Sequence, residues 1–253
     1  MILYTNGCSF TAGGGLEEYL NPNNLPNQYD LYKEHVWTKH LGDKIGAEKI
    51  INHGRGCGSN HRILRTTFDF LNQTEYDHHD IIVGIQFTTN NRFEYYESYS
   101  EPGSNGYNIL LGKNNGEVKN LQENWKQVKV GRNEMGFTEN ERDLLMKETE
   151  FTDRFLSIYQ NGKIQDCYDT LFLLNTMQNI LEKFEVKKYF FWSEINWHGN
   201  HTAETEYFIK KHIPFLLLNE TMGVDYLKCA HPSLEGHKKI SEILYEYFFN
   251  KNT

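Results

Sequence analysis

Two short segments at opposite ends of the chain carry residues that can do nucleophilic chemistry together. Ser9 comes shortly after an apolar run that ends in Asn6-Gly7, and a glycine-rich turn follows it at residues 13–15. His231 stands just before Pro232 and an amphipathic run that ends near residue 249. Serine is a weak nucleophile until a positioned base takes its proton, and histidine is the usual base near neutral pH. The pair therefore predicts a serine nucleophile with a histidine base. The alternative is that Ser9 only caps the following helix.

The elements that must bring these residues together alternate between strand-like and helix-like segments about five times. This pattern predicts a parallel sheet covered by helices on both faces and joined by right-handed crossovers. A serine delivered to a tight turn by the first strand would lie at the carboxyl edge of that sheet, where open α/β sheets hold their sites. The predicted later strands lie at 49–52, 80–86, 186–192 and 215–219, and the predicted helices at 29–45, 61–72, 163–184, 204–213 and from Pro232 onward.

Two internal segments offer hydrogen-bond donors at the same edge. The loop at 53–60 has three glycines in five residues, so its backbone amides can point at a ligand. Ser59 is placed to cap the next helix. An anion-binding nest or a purely structural turn are the alternatives for this loop. Gln86 ends the clearest buried strand, and its side chain carries an amide N–H that can donate a hydrogen bond.

These four segments resemble the motif blocks of the SGNH (GDSL-type) hydrolases. Residues 7–11 (Gly-Cys-Ser-Phe-Thr) resemble the Gly-Asp-Ser block, with Cys8 where Asp is usual. His231-Pro232-Ser233 with Gly236-His237 resembles the last block. The resemblance implies a flavodoxin-like three-layer α/β/α fold with a sheet of about five strands. It also implies that Ser9 is the nucleophile and His231 the base.

The resemblance further assigns oxyanion donors. The donors it implies are the backbone N–H groups of Ser9 and of Cys57 or Gly58, together with the Gln86 side chain. Cys57 stands where the family has glycine, and Gln86 where it has asparagine. Asn60 and Arg92 are expected to contact the substrate, although Arg92 alternatively pairs with Glu94.

The acid that normally accompanies the histidine is absent from its usual place. Family members carry Asp two or three residues before the histidine, where this chain has Lys228 and Cys229. The nearest upstream acid is Asp225. Loss of this Asp costs orders of magnitude in the serine-protease template. A Ser–His dyad, an acid from elsewhere in the chain, and loss of catalysis all stay open.

Residues 93–150 differ in character from the rest of what we interpret as a single domain spanning 1–253. They are rich in Tyr, Asn and Gly, with hairpin-like pieces near 107–111 and 128–130 and a helical pattern from about 139. A loop this long is usually functional. It is expected to act as a lid or a substrate-recognition wall after the third strand, and a dimerisation or partner surface is the alternative.

Composition limits the partners. A net charge of −8 argues against nucleic acid and anionic membranes. The chain has no apolar run near 18 residues and enters its first strand without a leader pattern, so we expect a cytoplasmic protein without a membrane span. Zinc held by Cys8, Cys57, Cys229 and His231 has no supporting CxxC-type spacing, so we expect no metal and no other cofactor.

Three functions follow from these observations. The first is a serine esterase or acyl transferase acting on a small acyl ester, such as O-acetyl groups on a glycan, since aromatic residues make up 14% of the chain. The second is a degenerate, non-catalytic binding protein on the same fold. The third is a metal- or thiol-dependent enzyme built on the cysteines.

Overall fold

The fold is built on one parallel sheet. The computed structural model describes residues 1–16, 20, 33–56, 58–88, 92–96, 125–129, 163–193, 213–218 and 220–250. The strands of this part are β1 (Ile2–Asn6), β2 (Lys49–Asn52), β3 (Ile81–Gln86), β4 (Arg92–Tyr96), β5 (Trp125–Lys129), β6 (Lys188–Ser193) and β7 (Phe215–Leu217).

Five of these strands form the main sheet in the order β2-β1-β3-β6-β7, and every pair is parallel. This is the flavodoxin-like order, in which the chain starts in the middle and changes direction between β1 and β3. Such a change leaves a crevice at the carboxyl ends of those two strands. The residues that follow β1 and β3 therefore meet at one place.

Helices lie between the strands along the chain. They are α1 (Ser9–Ala12), α2 (Trp37–Lys44), α3 (Asn60–Gln73), α4 (Lys163–Lys183) and α5 (Leu234–Phe248), with single 3₁₀ turns at His78–Asp80 and Glu220–Met222. None of the helices in the described ranges is both long and apolar enough to cross a membrane.

The two faces of the sheet are covered by different helices, because side chains alternate along each strand. Tyr4 and Val83 face one way and pack with α3 and α4 residues such as Ile63 and Met177. The other face packs against α2 and α5, with its own buried side chains: Leu3, Ile82, Phe190 and Trp192 from the sheet, and Trp37, Leu41, Ile240 and Leu244 from the helices. The three-layer α/β/α fold implied by the SGNH resemblance is confirmed.

A second, two-stranded sheet belongs to the segment after β3. Strands β4 and β5 pair antiparallel, with Arg92 opposite Lys129 and Tyr96 opposite Trp125. The backbone of β4 lies beside α3. The hairpin-like piece predicted near 128–130 overlaps β5, whereas β4 was not predicted. Predictions for 107–111, for the helix from about 139 and for the helix at 204–213 fall mostly outside the described residues.

Two predicted helix starts were wrong. The helix predicted at 29–45 begins only at Trp37, since residues 33–35 form a turn. Pro232 does not begin the last helix. Instead, Ser233 is the N-cap of α5 and its side chain accepts a hydrogen bond from Gly236 N–H at 3.0 Å. Pro232 lies one residue earlier, in a β-bridge with Tyr226.

Candidate active site

Ser9 is the first residue of α1, directly beyond the end of β1. The N-cap of this helix is Cys8, which makes no side-chain capping bond, so the alternative that Ser9 is the cap is wrong. The first N–H groups of a helix have no partner within it. The backbone N–H of Ser9 is therefore free of the hydrogen bonds of α1, as an oxyanion donor must be. The Ser9 side chain is partly exposed.

The glycines at residues 13–15 end α1 after a single helical turn and fold the chain back towards Ser9, the first residue of the helix. Gly13 is the C-cap with φ of 85°, and Gly15 has φ of 87°, so both adopt the left-handed conformation that favours glycine. Gly14 N–H donates to Ser9 C=O at 2.7 Å. This bond holds the backbone of the turn against Ser9, the predicted nucleophile.

His231 lies on a short, tightly bonded loop before α5. Its C=O accepts a hydrogen bond from Leu227 N–H at 2.8 Å, and Ala230 N–H donates to Leu227 C=O at 2.9 Å. Ala230 has a positive φ of 61°, which is unusual for a residue with a β-carbon. The loop is therefore closed by its own backbone and presents the imidazole in a fixed direction.

The structure brings Ser9 and His231 together across Gly14. A β-carbon added to Gly14 would lie 3.0 Å from Ser9 Cβ and 3.2 Å from both Cδ2 and Nε2 of His231. The distance between Ser9 Cβ and His231 Nε2 is therefore no greater than the sum of these two distances. The Phe10 ring packs edge-on against the imidazole, with ring centroids 5.4 Å apart. This arrangement can bring a base to the serine hydroxyl.

Asp225, the nearest upstream acid, has a different role from that of a triad acid. Its Oδ2 accepts a hydrogen bond from the Ser233 hydroxyl at 2.5 Å, and its C=O accepts from Ser233 N–H at 3.0 Å. It also lies so close to Gly236 that a β-carbon there would be 2.1 Å from the Asp225 carbonyl oxygen. Asp225 therefore ties the His231 loop to the start of α5.

The second loop runs beside the end of β1 and packs on α1. Arg55 N–H donates to Gly7 C=O at 3.1 Å, and a β-carbon on Gly54 would lie 2.7 Å from the Thr11 carbonyl carbon. Gly58 N–H donates to Arg55 C=O at 3.0 Å, so this amide is occupied within the loop. We therefore exclude Gly58 N–H as an oxyanion donor. Cys57 lies outside the described residues.

Asn60 fastens the second loop to the segment after β3. Its side chain donates to Thr88 C=O and accepts from Thr88 N–H, both at 2.8 Å. Only 1% of Asn60 is exposed. The expected substrate contact of Asn60 is therefore corrected, because both ends of its amide bind the backbone of Thr88. The Ser59 cap is confirmed by its bond from Arg62 N–H at 3.1 Å.

Gln86 ends β3, the neighbour of β1, and is buried with 2% of its surface exposed. The Thr11 hydroxyl donates to its Oε1 at 2.6 Å. Its side chain passes directly beneath Gly7, where an added β-carbon would lie 2.7 Å from Oε1 and 2.8 Å from Gln86 Cβ. The Gln86 side chain, the predicted oxyanion donor, thus contacts the helix that carries Ser9.

His237 is a buried residue whose role the sequence did not indicate beyond its place in the last block. Trp37 N–H, the first of α2, donates to His237 Nδ1 at 3.3 Å, and Nε2 is buried without a hydrogen-bond partner among the described residues. Burial lowers the pKa of His237 to about 3, and the nearby His40 and His231 add to this effect. A neutral imidazole therefore fastens α5 to α2 beneath the His231 loop.

The remaining predicted site residues are placed only in part. Arg92 begins β4, but its side-chain contacts lie outside what the structure describes. Cys8 is buried and Cys229 exposed, and both are free thiols. Within the described ranges, no three His, Cys, Asp or Glu side chains come together as a metal site.

A cleft of about 510 Å³ opens beside α1. One wall is Ala12, the last residue of the helix that begins with Ser9, and another is Asn52 at the carboxyl end of β2. Its rim carries charged residues of both signs, among them Lys39 and Asp43, which pair at 2.6 Å. Neither Ser9 nor His231 lines this cleft, and Ala12 is the one residue of α1 in its wall.

Comparison with known proteins gives a family match and similar folds. The sequence model of a "Family of unknown function (DUF6071)" matches residues 18–192, so the match begins after Ser9 and ends before His231. No curated protein matches the chain.

Similar solved structures include a lipolytic G-D-S-L family member from Veillonella parvula DSM 2008, at TM-score 0.44, 11% identity and 99% coverage of both chains. A putative lipolytic G-D-S-L protein from Desulfitobacterium hafniense DCB-2 has TM-score 0.45 and 12% identity, with 97% of this chain and 98% of that chain covered. A carbohydrate esterase described as having divergent catalytic and non-catalytic binding functions has TM-score 0.44 and 12% identity, with 99% and 69% covered.

Proposed function

The chain belongs to a family of unknown function (DUF6071), and for this member we propose serine esterase or acyl transferase activity on a small acyl ester. The observation that carries the proposal is the approach of Ser9 and the Nε2 edge of His231 to the same point beside Gly14. A serine within reach of an imidazole is the arrangement that nucleophilic acyl transfer requires.

The reaction proceeds by two transfers of the acyl group. Ser9 Oγ attacks the ester carbonyl while His231 Nε2 takes the hydroxyl proton, and the carbonyl oxygen becomes an oxyanion. The oxyanion collapses, the bond to the leaving alkoxide breaks, and His231 returns the proton to that alkoxide. Water or an acceptor hydroxyl then attacks the acyl-Ser9 carbonyl while His231 takes its proton. The second oxyanion collapses, the bond to Ser9 Oγ breaks, and His231 returns the proton to Oγ, which releases the acid or the new ester.

The negative charge of the oxyanion needs preorganised donors, which supply much of the rate in acyl transfer. We assign this role to the backbone N–H of Ser9 and the side-chain amide of Gln86. Cys57 N–H is a third candidate. Each would stabilise the negative charge that develops on the carbonyl oxygen, whereas Gly58 N–H is already bonded to Arg55 C=O.

The substrate that we propose is a small polar ester such as an O-acetylated glycan. Aromatic residues make up 14% of the chain, and aromatic rings can stack on sugars. We therefore expect acetylated sugars to be hydrolysed faster than esters of long fatty acids. A preference for long-chain esters would contradict this choice of substrate.

The test of the activity is hydrolysis of p-nitrophenyl acetate by the purified chain. The parent should release nitrophenol well above background, and Ser9→Ala should lose this activity. The matched control is Ser241→Ala, because Ser241 is a buried serine on α5 whose hydroxyl bonds Lys238 C=O at 2.8 Å. A Ser9→Ala variant as fast as the parent would refute the proposal.

A second candidate function is a non-catalytic binding protein on the same fold. It is favoured by the role of Asp225, which holds the Ser233 hydroxyl. The acid nearest upstream of His231 is thus engaged with another group, and a serine–histidine pair works far faster with such an acid than without it. This candidate predicts that acetylated sugars bind without being hydrolysed, and turnover that depends on Ser9 would exclude it.

A further inference from the structure

Gln86 makes one side-chain hydrogen bond to another described residue, and that residue lies on the same helix as Ser9. Thr11 Oγ1 and Gln86 Oε1 are 2.6 Å apart, a short distance for this type of bond. Thr11 is fully buried and Gln86 nearly so. A bond between two desolvated side chains has little competition from water, so it fixes the geometry of both groups.

The backbone at Gly7 leaves the amide little freedom to move. A β-carbon at Gly7 would lie 2.2 Å from Thr11 Oγ1 and 2.7 Å from Gln86 Oε1. The hydrogen-bonded pair therefore fills the space directly beneath the turn between β1 and α1. Only a glycine permits this close approach, which explains why Gly7 stands there.

We propose that Thr11 is a positioning residue that sets the orientation of the Gln86 amide in the oxyanion hole. This inference rests on the proposed esterase function. Its physical basis is that a glutamine amide has an acceptor oxygen and a donor nitrogen of nearly equal size. Steric packing alone does not distinguish the two orientations, whereas a hydroxyl that donates to the oxygen does.

The orientation decides whether Gln86 helps or hinders the reaction. With Oε1 turned to Thr11, Nε2 is turned away from it and its N–H groups can meet the oxyanion. With the amide reversed, a carbonyl oxygen would face the developing negative charge and repel it. A glutamine in place of the shorter asparagine has one more torsion to fix, so a dedicated partner such as Thr11 has more to contribute.

The first test compares Thr11→Val with Thr11→Ser in the full chain. Valine keeps the shape and removes the donor, and serine restores the donor. We expect Thr11→Val to react with a fluorophosphonate at least about tenfold more slowly, as a partial loss of one oxyanion donor. Thr11→Ser should stay within about threefold of the parent. In ester hydrolysis, Thr11→Val should lower kcat with KM little changed, because the oxyanion exists only in the transition state.

The matched control is Thr67→Val, which removes another fully buried threonine hydroxyl, one that accepts a hydrogen bond from Asn6 at 3.1 Å. It measures the general cost of losing a buried hydroxyl, and melting temperatures of all variants show that they are folded. Thr67→Val should lose stability but react with the fluorophosphonate as fast as the parent when folded.

Gln86→Glu provides a second, independent variant. It keeps an oxygen that accepts from Thr11 and replaces the amide nitrogen by a carboxylate oxygen. We expect a loss of about 10²–10³-fold in reaction rate, the usual cost of removing one oxyanion donor. An unchanged rate in either Gln86→Glu or Thr11→Val would overturn the inference.

The outcomes also separate this inference from the proposed function. If Ser9 of the parent does not react at all, the esterase proposal fails, and the role of Thr11 fails with it. If the parent reacts and folded Thr11→Val reacts equally fast, only the positioning role is wrong. If Thr11→Val and Thr67→Val are slowed to the same extent, the effect is structural and the positioning role is again wrong.

Discussion

Ser9 and His231 approach each other across the Cα of Gly14, although they come from opposite ends of the chain. The glycine turn that ends α1 thus lies between these two side chains. Any side chain at residue 14 would enter the space between Ser9 and His231. The absence of a β-carbon there is therefore required for their close approach, which the proposed reaction needs.

Gly14→Ala should impair catalysis more than stability. The new β-carbon would lie 3.0 Å from Ser9 Cβ and 3.2 Å from His231 Nε2, so these side chains must shift by a few tenths of an ångström. Because misplacing reacting groups by about 1 Å can cost roughly 10²-fold, we expect a smaller loss of ester hydrolysis, about tenfold. The measurement is kcat/KM for p-nitrophenyl acetate, together with the melting temperature.

The matched control for that variant is Gly56→Ala. Gly56 is exposed, and a β-carbon there would meet nothing within 4 Å. This variant should keep the activity of the parent. Equal activity in Gly14→Ala and the parent would show that the two side chains do not cooperate across this point.

Asp225→Asn should leave most of the activity intact. An asparagine oxygen can still accept a hydrogen bond from the Ser233 hydroxyl, so the loop before α5 keeps its closure. We expect a loss of stability of about 1 kcal/mol and less than a tenfold change in kcat. A fall of about 10⁴-fold, as in a triad that loses its acid, would show that Asp225 serves His231 during turnover.

Asn60→Ala should destabilise the protein without raising KM. Removal of the Asn60 amide leaves Thr88 N–H and C=O buried without this hydrogen-bond partner. We expect a loss of about 2 kcal/mol or more in the free energy of unfolding, measured by urea denaturation. A higher KM without lower stability would instead support the contact predicted from the sequence.

His237 should make the protein less stable in acid. Its pKa is about 3 in the folded chain and 6.5 when unfolded. The unfolded state therefore binds more protons between pH 6.5 and 3, and the free energy of unfolding falls as the pH falls through this range. The slope from this one group is at most about 1.4 kcal/mol per pH unit. Urea unfolding at pH 7.5, 6 and 5 measures it.

His237→Asn is the comparison for that experiment. An asparagine oxygen can accept the Trp37 N–H and cannot take up a proton in this range. The pH dependence between 6 and 5 should become shallower by about 1 kcal/mol. Some slope should remain, since burial also lowers the pKa of His40 and His53. Parallel stability curves for parent and variant would contradict this role.

The sequence predicted best those features that depend on a short stretch of residues. The β-branched run of β3 and the cap at Ser59 gave correct elements. The strand-to-turn position of Ser9 and the loop position of His231 were also correct, because both follow from short-range signals such as glycine and proline. The start of α2 at Trp37 was missed, since apolar spacing continues through the turn before it.

The roles of individual polar side chains were harder to predict. Asn60 binds the backbone of Thr88, and Gly58 N–H binds Arg55 C=O. Asp225 binds Ser233. Each of these bonds depends on how two loops pack in space, which no spacing along the chain encodes. The hydrogen bond between Thr11 and Gln86 belongs to the same class.

The most direct test of the Ser9–His231 pair is covalent labelling by a fluorophosphonate, read by intact mass and peptide mapping. We predict one adduct per chain, placed on Ser9, formed faster as pH rises through the titration of a histidine. Labelling should disappear in Ser9→Ala and fall by several orders of magnitude in His231→Ala. No adduct in the folded parent, or equal labelling rates in the parent and His231→Ala, would contradict the account.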